Sequence, residues 1–114
     1  MEMPSSFHWK LMKDVNPELF TKWNEFCGQV NIDDCIPGKY RELMLCCMAY
    51  VLHCKPATIT HTANAIEKFG CSLEEIFSVL GLAMMMGGAP VYRDACLNLE
   101  EYFTEKYYKE EKEQ

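Results

Sequence analysis

The chain has 114 residues, of which 49% are hydrophobic and 25% are charged, and its formal net charge is −6. This length predicts a single domain, because hydrophobic cores usually form in units of about 100–150 residues. The negative charge argues against a nucleic-acid-binding protein, which needs clustered Lys and Arg side chains. There is no apolar run of about 18 residues and no basic-then-apolar start, so we expect neither a membrane-spanning helix nor a signal peptide.

Seven cysteines form an odd set, which in a secreted protein would leave one thiol unpaired. They are Cys27, Cys35, Cys46, Cys47, Cys54, Cys71 and Cys96. Without a secretion signal we expect reduced thiols in a cytoplasmic protein. There is no Cys-x-x-Cys pair, and adjacent Cys46 and Cys47 would point in different directions on a helix. We therefore expect no metal site and no bound cofactor.

The first predicted helix begins at Asn16-Pro17, with Asn16 as its cap and Pro17 at its first position. It is predicted to end near Cys27, with Gly28 as its stop. Its apolar side chains are expected to be buried on one face, namely Leu19, Phe20, Trp23, Phe26 and Cys27. Residues 31–38 are predicted to form a linker.

The second predicted helix extends from about Gly38 to Leu52. Its apolar residues at helical spacing are Leu43, Met44, Cys47, Met48 and Val51. After Glu42 the helix is apolar nearly all round, which indicates deep burial or an interface between subunits.

Three further helices are predicted in the second half of the chain. Pro56 can begin a helix that ends at Gly70, and Ser72 with Glu75 matches a capping box for the next one. That helix is expected to end at Gly87, with Met84, Met85 and Met86 packed in the core. The last helix should run from about Pro90 to Lys106. The sequence thus predicts an all-α domain of about five helices at residues 16–108, with an N-terminal extension at 1–15 and a charged tail at 109–114.

Three residues form a candidate site: Cys54, His61 and Glu42. Cys54 precedes the predicted helix start at Pro56, where free backbone amides stabilise a thiolate. His61 lies seven residues later, on nearly the same helix face, and a thiol beside an imidazole can act as a nucleophile. Glu42 would return towards His61 if the second and third helices pack antiparallel. On spacing alone, structural roles are favoured: a buried thiol, a core histidine and a first-turn acid.

A longer series of residues carries a family resemblance. Tyr40-Arg41-Glu42-Leu43 is followed by Cys54-x-x-Ala57-x-x-x-His61. Further matches are Ala65, Phe69-Gly70, Ser72-Leu73-Glu74-Glu75-Ile76 and Gly87-Gly88-Ala89-Pro90. In order and spacing, these residues resemble the carboxymuconolactone decarboxylase and alkylhydroperoxidase D family over about residues 16–96.

The resemblance implies an all-α fold and a homo-oligomer, a trimer or hexamer, with its site near a subunit interface. It also implies that Glu42 is a proton relay, Cys54 the first cysteine and His61 the histidine of the alkylhydroperoxidase pattern. In that pattern a Cys-x-x-Cys pair reduces a hydroperoxide and is re-reduced by a dithiol partner. This sequence departs from the pattern, because Ala57 occupies the position of the second cysteine.

Three functions follow as alternatives. The first is a thiol-dependent, peroxiredoxin-type antioxidant oxidoreductase with Cys54 as nucleophile, His61 as base and Glu42 as relay. The second is a decarboxylase or lactone-processing enzyme that uses Glu42 and His61 and not Cys54. The third is a non-catalytic oligomeric binding protein that has lost the redox pair.

Overall fold

The computed structural model describes residues 6–32 and 35–109, and these residues form six helices and no strand. In chain order the helices are α1 Phe7–Val15, α2 Pro17–Val30, α3 Gly38–Val51, α4 Lys55–Phe69, α5 Leu73–Gly87 and α6 Ala89–Tyr107. The predicted all-α fold is confirmed. Most of the predicted charged tail, residues 110–114, lies outside the described residues.

The hydrophobic core is built by α3, α4, α5 and α6. Its largest fully buried apolar side chains come from three of these helices: Tyr50, Ile76, Val91 and Leu99. On α4, the buried apolar residues are Ile59, Ala65 and Ile66. No described residue of α1 or α2 belongs to this core. The four C-terminal helices are therefore the unit that positions any site.

Local sequence signals define where α4 ends and where α5 begins. Gly70 follows α4 with a φ of 67°, a left-handed conformation that favours glycine. The capping box of α5 is present: Glu75 N donates to Ser72 Oγ at 3.1 Å, and Ser72 N donates to Glu75 Oε1 at 3.0 Å. The predicted boundary between these helices is confirmed.

The helices α1 and α2 form a hairpin that we call the N-terminal arm. Trp9 and Trp23 stack across it with ring centroids 5.7 Å apart. The arm contains no buried residue. The radius of gyration, 15.7 Å, exceeds the roughly 13 Å typical of a compact domain near this size. The arm therefore lies beside the core and is not packed into it.

The arm adds one helix to the predicted set and corrects two expectations. The predicted extension 1–15 contains the helix α1, and α2 continues through Gly28 to Val30. Gly28 does not stop the helix because no second break signal accompanies it. The predicted burial on α2 is wrong within one chain, because no residue of this helix is buried. Leu19, Trp23 and Phe26 are 48%, 39% and 58% exposed.

The face of α3 that lies in the core agrees only in part with the apolar spacing: Leu43, Cys47 and Val51 pack against the core but are only partly buried. Its buried residues are Gly38, Glu42, Cys46, Ala49 and Tyr50. Met44 and Met48 are about half exposed, and Met85 and Met86 are 73% and 76% exposed, so the predicted core packing of the Met84–86 cluster is wrong. Because α3 is apolar nearly all round, its sequence has no polar face from which the exposed side could be predicted.

None of the described helices combines the length and hydrophobicity that crossing a membrane requires.

Candidate active site

The turn between α3 and α4 brings the candidate residues to one region of the core. The helix α3 ends at Val51 and α4 begins at Lys55, so three residues reverse the chain. Because the connection is so short, the two helices must pack against each other. Side chains of α3 that face α4 can therefore contact residues two turns into α4.

Glu42 and His61 form a direct pair. Glu42 Oε1 lies 2.6 Å from His61 Nδ1, and the two side chains are 6% and 29% exposed. A buried carboxylate requires a hydrogen-bond donor, and the imidazole Nδ1–H supplies it. The contact confirms that Glu42 reaches His61, as the sequence suggested. It also leaves His61 Nε2 as the ring atom available to exchange a proton with a substrate.

Cys54 occupies the N-cap position of α4 and is half buried. Its carbonyl oxygen accepts the first helical hydrogen bond, from Thr58 N at 2.8 Å. Its thiol forms no hydrogen bond that caps the helix, and none with His61 or Glu42. The structure thus joins two of the three predicted residues directly. Cys54 lies on the same helix as His61, two turns nearer its N-terminus.

A small polar cluster lies beside this pair and was missed by the sequence analysis. Tyr50 Oη and Thr62 Oγ1 are 2.6 Å apart, and Thr62 Oγ1 donates to Cys46 Sγ at 3.9 Å. All three residues are buried. Spacing could have indicated the cluster, because Cys46 and Tyr50 share the face of α3 that carries Glu42.

Thr58 is a second residue that the sequence analysis missed. It is 1% exposed, and its Oγ1 has no hydrogen-bond partner among the described residues. It stands four residues after Cys54 and three before His61, so all three share one side of α4. A buried hydroxyl without a partner is uncommon, and a functional role is one of the explanations for such a group.

Two of the other thiols, those of Cys46 and Cys71, are more deeply buried than that of Cys54. Burial raises the pKa of Cys46 to about 12, and burial together with Glu75 raises the pKa of Cys71. Both thiols are therefore protonated and weakly nucleophilic near neutral pH. Cys54 is neither fully buried nor hydrogen-bonded to a neighbouring side chain in the described chain, and all seven cysteines are free.

A cavity of about 530 Å³ lies elsewhere, between α5 and α6. Its wall is largely aromatic and includes Phe77, Tyr92, Phe103 and Tyr108, with Cys96 and Glu74. None of the three candidate residues lines it. Within the described ranges, no three His, Cys, Asp or Glu side chains are grouped as metal ligands would be.

Comparison with known sequences agrees with the all-α fold. No curated protein matches the chain significantly. The sequence model of one family, however, matches residues 17–101, which include α2 through most of α6 and all three candidate residues. The match covers well over half of the chain. The protein therefore belongs to the carboxymuconolactone decarboxylase family.

Proposed function

We propose that this protein is a thiol-dependent oxidoreductase that reduces a small hydroperoxide. The Cys54 thiolate attacks the terminal peroxide oxygen, so that an S–O bond forms as the O–O bond breaks. The sulfur is oxidised by two electrons to a sulfenic acid, and the peroxide is reduced to an alcohol. His61 lies two helical turns from the thiol, so it accepts the thiol proton beforehand through a water relay and returns the proton to the departing alkoxide.

The observation that carries this proposal is the 2.6 Å contact between Glu42 and His61. A carboxylate on Nδ1 holds the imidazole in one tautomer and stabilises its protonated form. Nε2 then serves as both acceptor and donor in the two proton transfers. His61 lies on α4, the helix whose N-cap is Cys54, so the base and the nucleophile are presented by one rigid element.

Recovery of Cys54 requires a second thiol, and Ala57 cannot supply it. Cys46 and Cys71 are buried and have raised pKa values, so they are poor attacking thiols. We propose that an external dithiol is the reductant. Its first thiol displaces water from the sulfenic acid to form a mixed disulfide. Its second thiol then attacks that disulfide and releases Cys54 as a thiolate.

We also propose that the working form is a homo-oligomer, a trimer or hexamer. Large apolar side chains are exposed on the N-terminal arm, on α3 and on α5, including Trp23, Phe26, Met48 and Met85. Exposed large apolar side chains in this number are typical of subunit interfaces. The subunits would cover the arm, which has no core of its own.

Consumption of an alkyl hydroperoxide with dithiothreitol as reductant tests the function. Cys54→Ser should reduce turnover to the rate measured without protein, since the variant lacks the nucleophile. Cys27→Ser, a substitution of another half-buried thiol on the arm, should retain the wild-type rate. Equal turnover by Cys54→Ser and wild type would instead favour chemistry that uses Glu42 and His61 alone.

A further inference from the structure

His53, the residue before Cys54, has a left-handed backbone conformation with a φ of 54°. Within the described part of the chain it is the only non-glycine residue with a positive φ. His53 N donates to Tyr50 O at 3.0 Å, and Cys54 N donates to Ala49 O at 3.1 Å. These two bonds form the Schellman motif, whose left-handed position is usually glycine.

The turn at the end of α4 offers a comparison within the same chain. There Cys71 N donates to Ala65 O at 3.0 Å, and the left-handed residue is Gly70. Both turns place a left-handed residue just after the helix, but the closing bond spans five positions from Cys54 to Ala49 and six from Cys71 to Ala65. The left-handed residue is a histidine in the first turn and a glycine in the second. A histidine is disfavoured there relative to glycine, so the side chain of His53 must contribute something that the turn does not require.

That contribution is a link to α6. His53 Nδ1 lies 2.9 Å from Asp94 Oδ2, and both side chains are 43% exposed. The contact with Asp94 holds the turn against α6, while the hydrogen bonds to Ala49 and Tyr50 hold it against the end of α3. Cys54, the next residue in the chain, is held between this turn and the first turn of α4.

We propose that His53, held by Asp94, is a positioning residue for the site: it fixes the turn that presents the Cys54 thiol at the start of α4. This inference rests on the proposed function of Cys54 as a nucleophile. His53 acts through the backbone of the turn and does not itself exchange a proton with the substrate. Asp94 has no other role in the mechanism, which makes the pair testable separately from Glu42 and His61.

The test is the rate of Cys54 alkylation by iodoacetamide in the folded protein, resolved from the other thiols by peptide mass spectrometry. His53→Gly removes the imidazole and relieves the left-handed backbone, so Tm should change by less than about 4 °C. The Cys54 rate should nevertheless fall about two- to five-fold, the range of a helix-terminus interaction with a charged group. Asp94→Ala should lower it equally, and the double variant should fall no further.

Glu67→Gln is the matched control, because Glu67 also links α4 to α6, through Tyr102 and Lys106. It should leave the Cys54 rate unchanged. Wild-type rates of Cys54 alkylation in both His53→Gly and Asp94→Ala would overturn the inference and leave the proposed function intact. A wild-type Cys54 that reacts no faster than the same thiol in urea-unfolded protein would count against the proposed function itself.

Discussion

At the scale of single residues, the unusual feature is a carboxylate buried in an apolar helix pair. Glu42 is 5% exposed, and its carboxylate contacts the imidazole of His61. Burial of a charge is unfavourable for folding unless the charge is paired. The main role of Glu42 is therefore to hold the His61 ring, and not to stabilise the fold. Its neighbours on the same face of α3 are Cys46, Ala49 and Tyr50, which keep water from the carboxylate.

Glu42→Gln should lower hydroperoxide turnover by about 100-fold, within the range that general acid–base catalysis contributes. The amide oxygen can still accept the Nδ1–H bond, but it does not carry the charge that stabilises protonated His61. Steady-state kinetics measures the effect, with Glu74→Gln on the exposed side of α5 as the control. A Glu42→Gln enzyme with wild-type turnover would remove Glu42 from the mechanism.

Cys46 should resist alkylation in the folded protein. Burial raises its pKa to about 12, so almost none of it is thiolate at pH 8. Iodoacetamide at that pH should modify Cys46 only after urea unfolds the chain, as peptide mass spectrometry would show. Rapid labelling of native Cys46 would mean that the core around Tyr50 and Thr62 opens readily.

The site was predictable from the sequence only in part. The spacing of Cys54 and His61 follows from helix geometry, and Glu42 could be placed once a short turn joined the two helices. Thr58 and Asp94 could not be found in this way. The hydroxyl of Thr58 is notable only because its partners are absent, and Asp94 is 41 residues from His53 in the chain.

At the scale of helices and turns, caps and cross-links define the core elements. Ser72 closes the start of α5, and Glu67 joins α4 to α6 by accepting from Tyr102 Oη at 2.7 Å and Lys106 Nζ at 2.8 Å. These contacts are partly exposed, so each adds modestly to the packing that the buried residues supply.

Ser72→Ala should destabilise the protein by about 1 kcal/mol, the usual effect of removing an N-cap side chain. Urea unfolding followed by circular dichroism measures this change. Ser78→Ala is the matched control, because Ser78 lies on an exposed position inside the same helix, where Ala is the better helix former. Equal stability of Ser72→Ala and wild type would mean that the capping box does not contribute.

The Glu67 contact predicts a pH-dependent stability difference. Hydrogen bonds from Lys106 and Tyr102 lower the pKa of Glu67 below its ordinary value of 4.5. Because the folded-state pKa is the lower one, the stabilisation is complete above about pH 5 and is lost as pH falls through the folded pKa. The gap in unfolding free energy between wild type and Glu67→Gln should therefore narrow from pH 6 to pH 3. If the difference in unfolding free energy stays constant over this range, the lowered pKa of Glu67 is contradicted.

Most helix boundaries followed from caps and breakers, because these signals act within a few residues. The start of α2 at Pro17, the turn after Val51 and the stop at Gly70 are examples. The end of α2 did not follow, since a lone glycine breaks a helix only when further signals support it. The helix α1 was missed because its nine residues carry neither a side-chain cap nor an acidic first turn.

At the scale of the whole molecule, one chain leaves too much apolar surface uncovered. The arm is 39–58% exposed at Leu19, Trp23 and Phe26, and α5 exposes Met85 and Met86 still more. Sequence patterns showed that these residues are apolar but not where they lie, because periodicity does not distinguish a core face from a face between subunits.

Met48→Glu should dissociate the proposed oligomer. Met48 is 52% exposed in the single chain, so a charge there should leave the protomer folded while opposing burial between subunits. Light scattering coupled to gel filtration should give three or six times the 13.2 kDa chain mass for wild type and a smaller particle for the variant. Lys68→Glu, on an exposed position of α4, should keep the wild-type mass. A monomeric wild-type protein would contradict the proposed assembly.

The central claim is that Cys54 is the nucleophile of a site completed by His61 and Glu42. Its most direct test is a stoichiometric pulse of alkyl hydroperoxide on the reduced protein, followed by trapping of sulfenic acid and peptide mass spectrometry. The account predicts that one oxygen is added first at Cys54, and that His61→Ala slows this addition. Oxidation of other cysteines while Cys54 stays unmodified would contradict it.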